Sequence, residues 1–216
     1  MIKHCKLMGL SLEEIKELIG TNITPESMYE ILNRQQEIIA NKIEELQRAK
    51  RYIDFLKKRV GITLERTLGE VIVEDYEAQK VMTYNYVSEG IDELEINMRK
   101  IIIDIEKNYG ILNSEVIFKT SYRDILKEKF VYKNVMISNE VIRELETEVI
   151  PKGRYLSIYY DDYYTDSFKY YKKILEFAKD NMIEVEGDFY EFYIVPKTDR
   201  EGKEKSLIQL SIKIKE

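Results

Sequence analysis

The feature that most constrains this chain is the stretch from Pro25 to Lys58, which contains no glycine and no further proline. Thr24, Pro25 and Glu26 match an N-cap, a proline at the first helical position and an acidic first turn. Apolar residues then recur at spacings of three and four, a heptad pattern that predicts one long helix. The apolar positions are Met28, Leu32, Ile39, Leu46, Ala49, Ile53 and Leu56, with polar Gln35 and Lys42 in the two gaps.

A helix of about 34 residues is roughly 50 Å long, which exceeds the diameter of a small domain. Its heptad positions form an apolar stripe, here called the seam, that needs a partner helix. No second long heptad helix follows in the sequence. We therefore expect a homodimer formed through helix 25–58. The alternative is that the helix packs on the C-terminal domain of its own chain.

Composition excludes several classes of protein. One Cys and one His rule out an intrachain disulfide and argue against a Cys/His zinc site. A formal net charge of −6 argues against a nucleic-acid surface spread over the whole molecule. No apolar run approaches the ~20 residues that span a bilayer, and no signal-peptide pattern is present. We expect a cytoplasmic protein without membrane contact, and we assign it no cofactor.

Two short helices are predicted before the long one. The first runs from Ile2 to Met8 and stops at Gly9, while Ser11 and Glu14 form a capping box at the start of the second, which closes at Gly20. The predicted organisation is a helical hairpin plus dimerisation helix over 1–60, a linker over 61–70 and a second domain over 71–216.

The second domain is predicted to be α+β, built twice in the order strand–helix–strand–strand. The predicted strands are 76–87, 115–121, 130–138, 154–161, 189–195 and 207–214, and the predicted helices are 91–109 and 166–180. Six strands can form one sheet with both helices on one face. The other face would then be uncovered, which is a common place for a ligand.

The N-terminal segment resembles the second helical pair of MerR-family transcription regulators. The resemblance lies in Ile2-Lys-His-Cys-Lys-Leu-Met-Gly-Leu-Ser-Leu-Glu-Glu-Ile-Lys-Glu-Leu-Ile19, where a short helix, a Gly and a Ser-Leu-Glu-Glu-Ile helix precede the long helix. The C-terminal part resembles the effector-binding domain of MerR-type multidrug sensors and gyrase-inhibitor-like proteins. It does so at Lys129-Phe-Val-Tyr and Tyr190-Glu191-Phe-Tyr193. The resemblance implies a regulator that senses a bulky cationic or aromatic small molecule.

One departure from the family concerns DNA. MerR-family proteins begin with a winged helix-turn-helix, and this chain starts at Met1 within the helical pair that follows it. Residues 1–60 carry 11 Lys or Arg and 9 Asp or Glu, a net +2, so residues 61–216 sum to −8. Operator affinity depends heavily on phosphate neutralisation. We therefore expect the DNA-binding domain to be missing, and DNA to be a partner only if an upstream winged helix-turn-helix exists.

A second departure concerns metals. Metal and redox sensors of the family place Cys or His near the end of the dimer helix, and residues 55–70 contain neither. His4 and Cys5 are expected on an ordinary helix surface. We predict no metal site.

The strongest candidate for a ligand contact is Glu191. Period two along 188–195 places Phe189, Glu191 and Tyr193 on one strand face, with aromatic residues on the other face too. A carboxylate among aromatic residues is costly to bury unless something compensates its charge. A cationic ligand can do so while stacking on tyrosine rings, and the resemblance implies this role for a strand Glu. The alternative is that Glu191 pairs with a neighbouring Lys, Arg or Tyr or lies at an exposed edge.

Tyrosines supply the predicted pocket walls, since 15 of the 17 lie between residues 76 and 193. The candidates besides Glu191, Phe189 and Tyr193 are Tyr84, Tyr86, Tyr155, Tyr159 and Tyr164, with Tyr163 beside the last. The family often has a Gly in this strand–helix turn, where Asp161 and Asp162 stand here, and their charge would favour cations at the mouth. Each tyrosine could instead pack with its hydroxyl at the surface.

Two other classes of function remain open. Relatives of the effector-binding fold include hydrolases, in which Glu191 would act as a general base. The sequence shows no nucleophile–base pair, no usable His and no Gly-rich phosphate loop, so we predict that the chain is not an enzyme. The other class is an interaction protein that dimerises through the long helix and titrates full-length relatives.

Overall fold

The computed structural model describes residues 2–20, 24–87, 91–109, 114–138 and 148–216. The chain divides into two compact units, Met1–Ile53 and Asp54–Glu216. Among the described residues, no helix is both long enough and apolar enough to cross a membrane.

The first unit contains the predicted helical hairpin. Helix α1 spans Ile2–Leu7 and α2 spans Leu12–Gly20. The capping box is confirmed, because the Ser11 amide donates to Glu14 Oε2 (2.8 Å) and the Glu14 amide donates to Ser11 Oγ (3.2 Å). The buried residues of this small core are Cys5, Leu10, Ile15 and Leu18. Placing Cys5 on the surface was therefore wrong, since it is 5% exposed; the side chain of His4 lies outside the described residues.

Helix α3 spans Pro25–Leu64 and joins the two units. Its first turn is capped as predicted, with the Ser27 amide donating to Thr24 Oγ1 (3.3 Å). The helix is longer than predicted and continues through Gly61 into the expected linker. A glycine inside a helix costs about 1 kcal/mol relative to alanine. That cost is opposed by packing of the last turn, where Thr63 is buried and its hydroxyl donates to the Arg59 carbonyl (3.0 Å).

The described residues of the second unit form one antiparallel sheet of eight strands, two more than predicted. The strands are β1 Val71–Tyr76, β2 Gln79–Tyr84, β3 Glu115–Ser121, β4 Tyr132–Ser138, β5 Glu148–Ile150, β6 Gly153–Tyr163, β7 Val185–Thr198 and β8 Glu204–Ile214. The helices are α4 Ile91–Tyr109, α5 Tyr122–Leu126 and α6 Phe168–Asp180, with a 3₁₀ turn at Tyr164–Asp166.

The sheet order is β1-β6-β8-β7-β3-β4-β2-β5. Counted inward from either edge, the strands of the two halves correspond position by position. The two halves are β2–α4–β3–β4 and β6–α6–β7–β8, which is the repeated order that the sequence predicts. Each half also has a leading edge strand that pairs with the other half: β1 pairs with β6, and β5 pairs with β2. The two strands that sequence analysis missed are these edge strands. One is only three residues long, and the other begins directly after the expected linker.

Helices α4 and α6 cover the same side of the sheet, as predicted. This side, the helix face, includes buried Phe118, Ile137, Leu156, Leu210 and Ile212, with Ile101 and Ile105 of α4 and Tyr171 and Ile174 of α6 packed in the same clusters. The opposite side, the back face, includes Val81, Ile117, Met136, Tyr155 and Phe192. This back face was predicted to be uncovered, and that prediction was wrong where the end of α3 packs on it. There the Arg59 guanidinium lies over the Phe192 ring (5.4 Å to its centroid).

Candidate functional site

Glu191 is a buried carboxylate near the centre of the sheet. It lies on β7 opposite Phe118 of β3 and Leu210 of β8, and it is 0% exposed. β7 and β3 are the two middle strands of the sheet order. The position is therefore the one on which both halves of the domain converge.

Strand alternation along β7 is as predicted. Phe189 belongs to a helix-face cluster, and half-buried Tyr193 packs against that face. Tyr190 and Phe192 belong to the back-face cluster. Because β7 is a central strand, both of its faces are buried. This explains why it carries aromatic residues at successive positions on both faces.

Tyrosine hydroxyls bind both oxygens of the carboxylate. Tyr132 donates to Glu191 Oε2 (2.5 Å) and Tyr160 donates to Oε1 (2.9 Å). The Tyr160 hydroxyl oxygen also lies 3.2 Å from Ser167 Oγ. Tyr171 is the third tyrosine at the carboxylate, with its hydroxyl 3.3 Å from Thr120 Oγ1. Among the described residues, no Lys, Arg or His forms an ion pair with Glu191.

Burial raises the pKa of the Glu191 carboxyl, although hydrogen bonds from Tyr132, Tyr160 and Tyr171 oppose the shift. Desolvation is the larger effect because the negative form loses its hydration and meets no cation from the part of the chain that the structure describes. Burial, with the nearby Glu191 charge, also raises the pKa values of Tyr160 and Tyr171 well above that of free tyrosine. These tyrosines therefore remain neutral donors at physiological pH.

Aromatic rings surround the carboxylate and its donors. Phe118 contacts Tyr132 and Tyr193 at centroid distances of 4.9 and 4.8 Å. Phe130 meets Tyr132 and Tyr171 edge to face at 5.0 and 5.4 Å. Edge-to-face pairs of this kind are favourable and directional. We call Glu191 with these aromatic residues and Tyr160 the Glu191 cluster.

Four of the other predicted residues share the helix face with Glu191. Phe189 contacts Tyr171 edge to face (4.8 Å), and Tyr193 contacts Phe118. Tyr84 and Tyr86 are half-buried and pack against the cluster that contains Phe118 and Tyr132. The Tyr84 hydroxyl donates to Asp104 of α4 (3.0 Å).

Tyr155 and Tyr159 lie on the back face and are not brought to Glu191. The Tyr155 hydroxyl donates to the Pro151 carbonyl (2.7 Å), and the Tyr159 hydroxyl donates to Glu74 (3.0 Å). β6 carries tyrosine in both phases, and the two in-phase positions chosen from sequence are on the wrong side of the sheet. The side chain of Tyr164 lies outside the described residues.

The acidic pair expected in a strand–helix turn lies at the end of β6, and its charge is largely compensated. Asp161 accepts from Lys197 (2.7 Å), and Asp162 accepts from Lys169 (2.5 Å) and from the Tyr170 hydroxyl (2.8 Å). Lys205 also lies 3.9 Å from Asp161, so three lysines reduce the predicted negative potential at this end of β6. The Tyr163 hydroxyl donates to Asp199 in the β7–β8 hairpin (2.8 Å) rather than facing Glu191.

Sequence analysis missed the three tyrosines that contact the carboxylate. Tyr160 alternates in phase with Leu156 and Ile158, which form the apolar phase of β6, and this signal could have identified it. Tyr132 ends the Lys129-Phe-Val-Tyr segment, and Tyr171 lies on the inward stripe of α6. Nothing in the spacing of those two residues indicates that they converge on one carboxylate.

Comparison with known proteins gives one match to a protein-family model. The model, described as "MerR, DNA binding", matches residues 1–56. The multidrug-efflux transporter 1 regulator of Bacillus subtilis (strain 168) is 26% identical over 231 residues, covering 100% of this chain and 81% of that protein.

Two solved structures share the fold. A cryo-EM structure of the EcmrR–DNA complex matches with a TM-score of 0.53 at 15% identity, covering 100% of this chain and 81% of that one. The crystal structure of the EcmrR C-terminal domain matches with a TM-score of 0.51 at 10% identity, covering 68% of this chain and 98% of that one.

Residues 1–56 thus match a model of MerR DNA binding, and the two EcmrR structures show that the chain shares their fold. The family match also corrects one prediction. The DNA-binding part was expected to be missing, and that expectation was wrong, because residues 1–56 match a model of MerR DNA binding.

Proposed function

We propose that this chain is a MerR-type transcription regulator that binds a bulky hydrophobic cation at the Glu191 cluster. The observation that carries the proposal is a fully buried carboxylate with three tyrosines around it and no cationic partner among the described residues. A protein gains no stability from such a group, because burial of an unpaired carboxylate is costly. Retaining it is reasonable if a ligand supplies the missing positive charge.

The surroundings of Glu191 favour an aromatic cation over a metal ion or a small amine. The Tyr132 hydroxyl donates to the carboxylate, and the ring of Phe118, opposite Glu191 on β3, packs against the Tyr132 ring (4.9 Å). A cation over such a ring gains about 0.5–2 kcal/mol per contact, more when desolvated. The described residues provide no group of three or more His, Cys, Asp or Glu side chains for a metal ion.

Ligand entry must displace side chains that now cover Glu191. The carboxylate is 0% exposed, and Phe130 bridges from Tyr132 to Phe168 at the start of α6 (6.0 Å between the phenylalanine centroids). A ligand of several aromatic rings could replace these ring contacts with its own. Aromatic side chains around Glu191 therefore rearrange when the ligand binds.

The test is titration of the full chain with tetraphenylphosphonium, followed by tyrosine fluorescence and calorimetry. Glu191→Gln should weaken binding at least about tenfold, because an ion pair at low effective dielectric contributes several kcal/mol before desolvation. Glu201→Gln, in an exposed loop, is the matched control and should leave affinity unchanged. Neutral triphenylphosphine oxide should bind both proteins weakly and equally.

The pH dependence of binding gives a second readout. Because the pKa of Glu191 is raised, acidification protonates the carboxyl and should weaken binding of the cation, and the loss should be absent in Glu191→Gln. Equal affinities of the wild type and Glu191→Gln for the cation would exclude Glu191 as its partner. Chemical turnover of a bound ligand would instead favour the hydrolase alternative.

A further inference from the structure

Arg59 joins the long helix to the two central strands of the sheet. It lies in the last turns of α3, within the second unit, and its side chain is 15% exposed. Its guanidinium lies over the ring of Phe192 on β7 (5.4 Å), and its Nη2 is 3.1 Å from Glu115 Oε1 at the start of β3. One side chain of α3 thus contacts both strands that flank the centre of the domain.

The partners of Arg59 are themselves held rigidly. Glu115 is buried and accepts from Gln79 of β2 through its other oxygen (2.9 Å). Phe192 is buried and stacks with Tyr76 of β1 (6.1 Å). The guanidinium is therefore fixed by an ion pair and a ring face that belong to the body of the sheet.

Arg59 itself is held less directionally than its partners. Its Nε and Nη2 atoms are buried without a hydrogen-bond partner among the described residues, so its contact with Glu115 is ionic rather than a geometrically good hydrogen bond. A planar guanidinium held by charge and by a ring face depends on where that ring lies. A displacement of Phe192 therefore acts directly on the Arg59 side chain.

Phe192 follows Glu191 in β7, and the two side chains point to opposite faces. Close-packed interiors do not absorb displacements of a strand locally, so a change at the carboxylate that moves this part of β7 also moves the Phe192 ring. α3 is continuous from Leu64 back to Pro25, and so reaches the segment that matches the DNA-binding model. Arg59 is thus part of the same continuous helix as the end of the segment that matches the DNA-binding model.

We infer that Arg59 is a positioning residue that couples the state of the Glu191 cluster to α3 through Phe192 and Glu115. The inference rests on the proposed function for its biological meaning, because the state in question is ligand occupancy. The coupling itself is a property of the free protein. It can therefore be tested with and without a ligand.

The ligand-free test measures amide hydrogen exchange of residues 54–64 by mass spectrometry. Four full-length proteins are compared: wild type, Glu191→Gln, Arg59→Met and the double variant. When Arg59 is present, Glu191→Gln should change the amide exchange rate of residues 54–64 about fivefold. In the Arg59→Met background, the same substitution should change that rate less than about twofold. If Arg59 only anchors the helix, Glu191→Gln will change the exchange rate by the same factor with Arg59 and with Met at position 59. That result would overturn the inference.

Phe192→Leu is the second variant, in case Arg59→Met does not fold. It removes the ring under the guanidinium and should abolish the same shift. Arg59→Lys keeps the charge but loses the planar group, and should reduce it. Lys57→Met, at an exposed position of the same helix, is the matched control and should preserve the full shift.

The ligand arm separates this inference from the proposed function. Tetraphenylphosphonium should alter exchange of residues 54–64 in wild type and in Lys57→Met, and fail to do so in Arg59→Met although it still binds. Binding with an unchanged response in Arg59→Met would overturn the coupling. If the cation does not bind wild type at all, the proposed function fails, and the ligand-free comparison still decides the role of Arg59.

Discussion

At the scale of single residues, the defining feature is a carboxylate whose hydrogen bonds do not offset its burial. The 2.5 Å contact from Tyr132 to Glu191 has the length expected of a charge-assisted O–H···O⁻ bond. Burial nevertheless dominates, and the pKa of Glu191 remains raised. A group of this kind stores unfavourable free energy that a cationic ligand can release.

This yields a prediction about stability and pH. Because the folded-state pKa of Glu191 is raised, the folded protein binds more protons than the unfolded chain between the ordinary and the raised pKa. Stability should fall as pH rises through that window, by about 1.4 kcal/mol per unit of pKa difference, and stay lower above it. Glu191→Gln cannot ionise, so it should be more stable than wild type at pH 8 and similar to it at pH 4.

Urea unfolding at both pH values, followed by circular dichroism, measures this difference. The glutamine amide introduced by Glu191→Gln can still accept from one tyrosine hydroxyl and donate to the other, so the packing is retained. Glu201→Gln serves as the control, since its exposed carboxylate should leave the pH dependence unchanged. A wild-type pH dependence that persists in Glu191→Gln would show that other groups cause it.

At the scale of elements, α3 exposes an apolar stripe that its own unit does not cover. Leu32, Ile39, Leu46 and Ile53 of the seam are all at least 40% exposed. These residues recur at heptad spacing and are exposed, which is typical of a helix that packs against a partner helix. Homodimerisation through α3 therefore remains our prediction.

Sedimentation velocity at micromolar concentration tests dimerisation. The double substitution Ile39→Glu and Leu46→Glu places two charges on the seam and should convert a dimer to monomer, since burying unpaired carboxylates in a helix–helix interface is costly. Asn41→Glu adds one negative charge on the opposite side of α3 and should leave the dimer intact. A monomeric wild-type protein would refute the prediction.

The edge strands β1 and β5 show a different principle at the same scale. Each pairs with the other half of the domain rather than with a neighbour in its own half. This exchange joins the two repeats across the full width of the sheet. Neither half can then complete its sheet alone.

At the scale of the whole molecule, the two units share helix α3 and differ in the size of their hydrophobic cores. Met1–Ile53 has a buried core built around Cys5, Leu10, Ile15 and Leu18, whereas Asp54–Glu216 contains the eight-stranded sheet with its three clusters. Small cores supply little stability. We expect the first unit to unfold at lower urea concentration than the second.

The distribution of tyrosine makes this measurable, because 15 of 17 lie in residues 76–193. Helical circular dichroism should begin to fall at a lower urea concentration than tyrosine fluorescence changes. If α3 also dimerises, the first transition should move to higher urea with increasing protein concentration. Coincident transitions at all concentrations would show that the two units unfold together.

Much of the architecture follows from local sequence. Capping residues and heptad spacing predicted the helical hairpin and α3, and strand alternation placed Glu191, Phe189 and Tyr193 on one face. These features depend on contacts between residues close in the chain, where periodicity carries the information. The end of α3 and the edge strands were missed because distant packing decides them.

The chain by itself determined that Glu191 lies among aromatic residues on a central strand. Only the tertiary structure decided which hydroxyls reach it, since Tyr132, Tyr160 and Tyr171 come from two strands and a helix far apart in sequence. It likewise placed Tyr155 and Tyr159 on the back face, because tyrosine occupies both phases of β6 and the packing of α6 on one side of the sheet decides which phase reaches Glu191. Local patterns specify elements, whereas the convergence of side chains at a site is specified by how those elements pack.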